Sequence, residues 1–474
     1  MLYKAFFAEK YDLFGELGCS PVLSPKGAHY PSPECSERFF AALFAAFRRT
    51  VTSGTPFEAY ETDFLSDHLL PTQGLASDSR GLQQYFDGMA QAAGAAGLSV
   101  QLCMPTAGIV LASAAWPAMT QGRVSTDYAT ENAPNSTWAK TYNIGIGSLL
   151  FWAVGLQPSK DLTWTTPHQP GGACDHDNPN VELDVVLAVL SCGPVGIGDG
   201  IDLTNVTLAK MTADSDGRIL PPSKPLTALD SSFVPPATPA PATNQPLVGF
   251  LPLMPGASGC PSPGGASFPA QCTPAAEQTH TSIPLQPDYA ARLFDMQASA
   301  DGAVASWRIL LSLHLGDFTP TASDLLPLPG LSALGAYREL RWRRCVNGSA
   351  AFGSGLEPLE HTALPNIQSG KGSPSEPKVP WRMMTLYPNL PVDGSQNTTA
   401  WVLLGEADKI VGVSPVRFRS VGVVRADGGS CLCFELSAAP TETVTVGAVT
   451  PGGTFVERGF GSGHGRICDA DAQS

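Results

Sequence analysis

The sequence predicts an α/β protein: a (β/α)8-type TIM barrel, with its early strands missing or degenerate, followed by an all-β sandwich domain. Three observations predict it. Short apolar segments alternate with helix-like stretches over the first half of the chain, the pattern of parallel βα units. Residues 234–287 then turn to Pro, Ala, Gly, Ser and Thr, a linker or long-loop composition. Beyond them, apolar residues alternate in short runs broken by turn residues such as Asp301-Gly302 and Asp427-Gly428-Gly429, as antiparallel strands do. The expected domains are therefore 1–233, a partial barrel; 234–287, a linker; and 288–474, a β-sandwich.

Within the first domain, Val22-Leu23-Ser24 reads as a barrel strand end. Ser36 opens a helix whose apolar face is Phe39, Phe40, Leu43, Phe44 and Phe47, closed by Arg48 and Arg49 against the helix dipole. Phe57 to Leu65 is a strand with a carboxylate near its end. Gly81 to Gly97 reads as a second helix and Leu98 to Met104 as a strand stopped by Pro105, which has no N–H for a ladder. A strand ends near Asp127, Trp138 to Leu156 is a helix, Leu162 to Thr165 a buried strand and Val181 to Leu190 another helix. Thr204 is read as the cap of a last short helix through Met211. About five such units precede residue 220, whereas a full barrel takes roughly 250 residues. In the second half, Trp307 to Leu311, Tyr337 to Trp342, Trp401 to Leu404, Val416 to Val424, Cys431 to Leu436 and Val444 to Val446 read as strands.

The totals exclude some functions. A net charge of −14 argues against nucleic acid, which needs a Lys/Arg footprint. No run of about 20 apolar residues is present, so no membrane span is expected. The opening Met1 to Phe7 is interrupted too soon by Glu9 and Lys10 to be a secretory signal. Of 11 cysteines, Cys103 and Cys192 read as buried thiols, and Cys260 and Cys272, bracketing a Pro/Gly-rich loop, as a candidate disulfide. Sequons at Asn135, Asn205, Asn347 and Asn397 matter only in a secretory or vacuolar compartment, so the compartment stays open, as does the oligomeric state.

The chemistry-bearing candidates are carboxylates at strand tips, where βα barrels carry their active sites. Asp63 ends one predicted strand, with Glu61 two residues earlier on the same side. Asp127 follows Arg123 by four residues beyond another. Two carboxyls flanking a glycosidic bond are what sugar cleavage requires, and Arg123 is suited to hold Asp127 or a sugar hydroxyl. The ordinary alternative is that both Asp residues are loop or cap carboxylates. Asp199, in the Gly196 to Gly200 turn, suits a sugar hydroxyl or a turn-stabilising role equally. Asp175-His176-Asp177 does not converge as a metal site must, so no metal and no cofactor are expected. Trp116, Trp152 and Trp164 are candidates for stacking on a sugar, or for core.

These segments resemble the α-galactosidase and raffinose-synthase type of retaining glycoside hydrolases, in a divergent branch. Tyr60-Glu61-Thr62-Asp63-Phe64 resembles that group's nucleophile strand, which ends in Lys-x-Asp. Arg123-Val124-Ser125-Thr126-Asp127-Tyr128 resembles its acid/base segment, Arg-Ala-Ser-Asp-Asp-Phe. Gly193-Pro194-Val195 with Asp199, then Asp216 to Leu220, resembles its last barrel strand and following hairpin. The resemblance implies hydrolysis or transfer of an α-linked glycoside, with Asp63 as nucleophile, Asp127 as acid/base, Glu61, Arg123 and Asp199 on the oligosaccharide, and no cofactor. Glu61 stands where the family has a lysine, which points also to a non-catalytic carbohydrate-binding or scaffold protein derived from such a barrel.

Overall fold

Tyr60 and Thr62 are buried while Ala59 and Glu61, which alternate with them, are half-exposed, and this period of two organises the parallel sheet of the first unit. The structure is a computed structural model. It describes residues 2–4, 7, 11–50, 58–75, 79–125, 144, 147–170, 181–228, 289–297, 304–313, 334–341, 353–358, 381–392, 400–426 and 429–469. The chain divides into two units, Met1–Thr126 with Gly147–Asp161, and Asp127–Ile146 with Leu162–Ser474.

The first unit runs β1 (Leu2–Lys4), α1 (Asp12–Leu17), β2 (Pro21–Leu23), β3 (His29–Pro31), α2 (Ser36–Thr50), β4 (Ala59–Thr62), α3 (Ser79–Ala95), β5 (Ser99–Leu102), α4 (Ala107–Ala112), β6 (Met119–Arg123), α5 (helical over 147–153) and β7 (Gln157–Ser159). Five of these strands form a parallel sheet in the order β1-β4-β5-β6-β7. Each strand after β4 joins the same edge, as successive right-handed βα units do. The described residues thus contain a mixed α/β fold with an open parallel sheet rather than a closed eight-strand barrel. Val22 and Leu23 lie in an antiparallel hairpin of β2 with β3, not at a barrel strand end, because the turn at Gly27 folds the chain straight back.

The helix side of the sheet is apolar. Phe39, Phe40, Leu43 and Phe44 of α2 and Phe86, Met89 and Ala93 of α3 are all at most 1 % exposed. The Tyr60 ring sits 5.2 Å from that of Phe44 and 6.0 Å from that of Phe40. Each such buried side chain stabilises the unit by about 1.5–3 kcal/mol. Ser36 Oγ donates to Tyr85 O at 2.7 Å, joining the start of α2 to α3. Gly88 allows their close approach, since a Cβ there would lie 2.5 Å from Glu37 N. Gly122 plays the same part in β6: a Cβ would run into the Phe151 ring of α5.

In the second unit, α6 (Val181–Leu190) is buried over nearly its whole surface. The expected strand at Leu162 to Thr165 is reduced to a single parallel bridge, Thr163 to Ile197. α7 (Val206–Lys210) is capped by Asn205, whose Oδ1 accepts from Leu208 N at 3.1 Å. The expected cap, Thr204, is one residue too early, and Asn205 has the extended conformation a cap requires. The remaining strands are β8 (Thr227–Ala228), β9 (Tyr289–Gln297), β10 (Val304–Leu313), β11 (Leu334–Arg341), β12 (Gly353–Pro358), β13 (Trp381–Pro388), β14 (Leu390–Pro391), β15 (Ala400–Gly405), β16 (Phe418–Ala426), β17 (Gly429–Leu436), β18 (Val444–Val449), β19 (Phe455–Phe460) and β20 (Gly463–Cys468). They form separate antiparallel sheets, β12-β11-β13-β10-β9-β8, β14-β15-β18-β19 and β16-β17-β20. Trp307 Nε1 donates to Leu403 O at 3.0 Å, tying the first of these sheets to the second. A disulfide, Cys431–Cys468, links paired residues of β17 and β20, and another, Cys19–Cys35, lies in the first unit. The Cys260–Cys272 candidate lies outside the described residues.

Arg417 is fully buried and is the centre of a charge cluster in the second unit. Its guanidinium donates to both oxygens of Glu442 at 2.7 Å and to Glu406 Oε1 at 2.8 Å. Glu442 also accepts from Ser215 N, and Lys409 Nζ donates to Lys210 O at 2.8 Å, so the cluster ties the α7 region to the antiparallel sheets. The Arg417 hydrogen bonds hold the Glu442 carboxyl down at about 2, whereas burial pushes Glu406 up.

Three outcomes are expected. Arg417→Met leaves two carboxylates without their cation and should lower the urea-unfolding free energy by about 3–5 kcal/mol at pH 7. Because the Glu442 carboxyl is depressed in the fold, its contribution is complete above its ordinary value of 4.5 and fades as pH falls towards about 2. Acid unfolding curves over that window should therefore be flatter for Glu442→Gln than for wild type; parallel curves would remove Glu442 from the account. Separately, Gly122→Ala should cost about 1–3 kcal/mol by displacing Phe151, and an unchanged denaturation midpoint would show that α5 yields freely.

Candidate active site

The strand register places a polar row on the sheet face opposite α2 and α3. Paired residues of parallel strands point the same way, and the pairs run Glu61–Gln101, Gln101–Gln121 and Gln121–Gln157. The next row towards the strand ends holds Asp63, Cys103, Arg123 and Ser159, Arg123 being the register partner of Ser159 and Cys103 N donating to Thr62 O at 2.9 Å. Asp161 follows β7 at the same edge. These are the carboxyl ends of the strands, where the loops of α/β proteins bring chemistry together.

Two kinked tips set this edge. Phe64 has φ 56° and Met104 φ 53°, left-handed conformations in non-glycine residues just beyond β4 and β5. Each costs on the order of 1–3 kcal/mol and such residues gather at functional sites. The Phe64 kink turns its own N–H back onto Asp63 Oδ1 at 2.6 Å. Ser66 N donates to Met104 O at 3.2 Å, holding the two tips together.

The electrostatics are crowded with negative charge. Arg123, 8 % exposed, donates through a guanidinium NH₂ to Asp161 Oδ2 at 3.2 Å. Asp161 N in turn donates to Ser125 Oγ at 2.8 Å, which fixes the Asp161 backbone beside β6. Burial and then the neighbouring Asp63 push the Glu61 carboxyl up, while a hydrogen bond from Cys103 and the charge of Arg123 pull it down. Gln101 Nε2 also donates to Glu61 Oε1 at 3.2 Å. Burial pushes the Cys103 thiol far up, aided by Asp63 and Glu61 and opposed by Arg123. Gln121 Oε1 and Ser159 Oγ, both buried atoms of this face, have no hydrogen-bond partner among the described residues. Buried polar atoms of that kind normally find a partner, so this face is suited to a ligand or water rich in hydroxyls.

Of the residues singled out in the sequence, Asp63, Glu61 and Arg123 come together at this edge. Asp127 lies outside the described residues, as do Asp175, His176 and Asp177. Asp199 lies in the second unit, where its carboxylate accepts from Thr165 N at 2.8 Å, Thr165 Oγ1 at 2.5 Å and Gln169 Nε2 at 2.9 Å, the turn-stabilising arrangement. Trp116 is core, its Nε1 donating to Asp87 Oδ1 at 2.5 Å. Trp152 is 38 % exposed. Cys103 is the buried thiol the sequence suggests, whereas Asp161 is not legible from the sequence. The signal for Asp161 is the same as for Asp63, a carboxylate just past a short strand after a helix, but β7 has only three residues and no period to read.

No helix among the described residues is long and apolar enough to cross a membrane. No protein-family model matches the sequence, and no curated protein shows a significant match to it.

The Arg123–Asp161 pair generates a prediction. Burial and Asp63 raise the folded-state Glu61 carboxyl, so its ionisation works against folding increasingly as pH rises above its ordinary value of 4.5. Arg123 offsets part of this. Arg123→Gln should therefore lose roughly 1–3 kcal/mol at pH 7 and distinctly less at pH 4.5. Thermal melts at both pH values decide it: equal losses would mean that packing, not charge, explains Arg123.

Proposed function

We propose that the chain is a retaining glycoside hydrolase or transglycosidase acting on α-linked glycosides, of an α-galactosidase-like kind, built on a (β/α)8-type barrel with a following β-sandwich. The observation that carries this reading is the polar sheet face. It presents Asp63 at a strand tip with Glu61, Arg123 and Asp161 around it, and beside them two buried polar atoms, Gln121 Oε1 and Ser159 Oγ, that have no partner among the described residues. A sugar supplies hydroxyls for those atoms and an anomeric carbon for a carboxylate.

On this reading an Asp63 oxygen attacks the anomeric carbon as the bond from that carbon to the leaving oxygen breaks. Asp127 gives the departing oxygen its proton. The resulting Asp127 carboxylate then takes a proton from water or from a sugar hydroxyl, and that oxygen attacks the same carbon and releases Asp63. The acceptor alone separates hydrolysis from transfer. Arg123 is tied to Asp161 and steadies the charge around Asp63. The Phe64 N–H donates to Asp63 Oδ1 and helps hold that carboxylate at the strand tip.

Two observations favour a rival reading, a sugar-binding protein without turnover. Glu61 brings a second carboxylate where the resembled enzymes carry a lysine, and Asp63 is only 7 % exposed.

Release of nitrophenol from aryl α-glycosides separates the two. Wild type is expected to turn over, Asp63→Asn to lose release entirely, and Asp127→Asn to lose about 10²–10⁴-fold for leaving groups that need a proton. Equal rates for wild type and Asp63→Asn would remove Asp63 from the mechanism. Saturable binding of the glycosides with no release would establish the rival.

A further inference from the structure

Each unit holds a disulfide, Cys19–Cys35 in the first and Cys431–Cys468 in the second. Both join residues that the fold itself brings together. Cys431 and Cys468 are register partners on β17 and β20, and Cys19, just past α1, meets the short helical turn Pro33–Cys35. Cytosolic reductants keep such pairs open, so structural disulfides in both units point to a chain that folds in an oxidising compartment. In that setting an Asn-x-Ser/Thr triplet is an acceptor for N-linked sugar when it lies on the surface. Of the four sequons, Asn205-Val206-Thr207 lies within the described residues.

The local structure suits it. Asn205 is half-exposed at the start of α7, and Val206 and Thr207 are exposed. Asn205 Oδ1 caps the helix by accepting from Leu208 N at 3.1 Å, and the Asn205 backbone N–H donates to Thr165 Oγ1 at 2.7 Å. The cap uses the carbonyl oxygen alone. The amide nitrogen Nδ2, the atom that N-linked sugars join, takes no part in it. A glycosylated amide keeps its C=O, so cap and glycan are compatible. The surface beside the triplet is apolar: Ile201 is 93 % exposed, Val206 57 % and Leu203 36 %. Clustered apolar side chains open to water mark a surface that something covers. We propose that Asn205 is an N-glycosylation site whose oligosaccharide covers the apolar surface of Ile201, Leu203 and Val206. The donor is a lipid-pyrophosphate-linked oligosaccharide. The bond from its anomeric carbon to the pyrophosphate oxygen breaks, the bond from that carbon to Asn205 Nδ2 forms, the lipid pyrophosphate leaves and Nδ2 gives up one proton. None of this rests on the glycosidase reading.

Protein isolated from its own cells decides it. After peptide N-glycosidase in heavy-oxygen water, the peptide holding residue 205 should carry an aspartate with one heavy oxygen at that position; asparagine intact there throughout would overturn the assignment. Alkylation in denaturant without reductant should leave Cys19, Cys35, Cys431 and Cys468 unlabelled, and labelling of all four would remove the oxidising compartment and the glycan with it. Two variants returned to the same cells separate sugar from cap. Asn205→Gln loses both, whereas Thr207→Ala breaks the triplet and keeps Asn205 as the cap. Each should lose the same single glycan step on a denaturing gel, and wild-type mobility of Thr207→Ala would overturn the site. Thr207→Ala should also bind an apolar-surface dye severalfold more strongly than wild type; equal binding would overturn the covering role and leave that surface to another occupant, such as a second copy of the chain.

Discussion

The first unit depends on one constraint: a parallel sheet that is apolar on one face and polar on the other. Parallel sheets are ordinarily covered on both faces and their strands are apolar throughout. Here Tyr60, Val100 and Leu102 pack to one side while Glu61, Gln101 and Gln121 face the other. Aromatics of α2 and α3, with Phe151 of α5, cover the first face. The second face has to satisfy carboxylates, amides and a guanidinium, and that obligation is what makes it the candidate site.

Both units solve a problem of charge, and the contrast between their solutions is informative. In the second unit Arg417 takes two carboxylates in short, saturated bonds within a fully buried setting. Asp199 is likewise fully engaged with Thr165 and Gln169. Such saturation is what structure requires, since a buried charge left unpaired is expensive. At the strand tips of the first unit one arginine is set among Asp63, Glu61 and Asp161, the Glu61 carboxyl is driven up, and the backbone is kinked at two non-glycine residues. Perturbed groups and stored strain together are the marks of a site that does something to a ligand.

Much of the fold was legible because its elements are long enough to have a period. The α2 face of Phe39, Phe40, Leu43 and Phe44, the α6 run and the strands around Trp307, Trp401 and Cys431 all carry their pattern on the surface of the sequence. β1 and β7 do not: three residues show no alternation, so neither strand, nor Asp161 just beyond β7, is legible in the sequence. The hairpin of β2 and β3 is not legible for a related reason, since a short apolar run has the same composition in either kind of sheet. At α7 a threonine and an asparagine stand side by side, both good caps, and only the backbone conformation chooses Asn205.

The sequence by itself determined the mixed α/β character, the beginning and faces of the main helices, and the placing of Asp63 and Glu61 on one side of a strand. These follow from local periodicity, and local periodicity is written in neighbouring residues. Only the tertiary structure decided that Cys103, Arg123 and Asp161 join them. Residues 103, 123 and 161 meet through the register of three separate strands, and register is set by packing across the sheet, where no single segment carries the information.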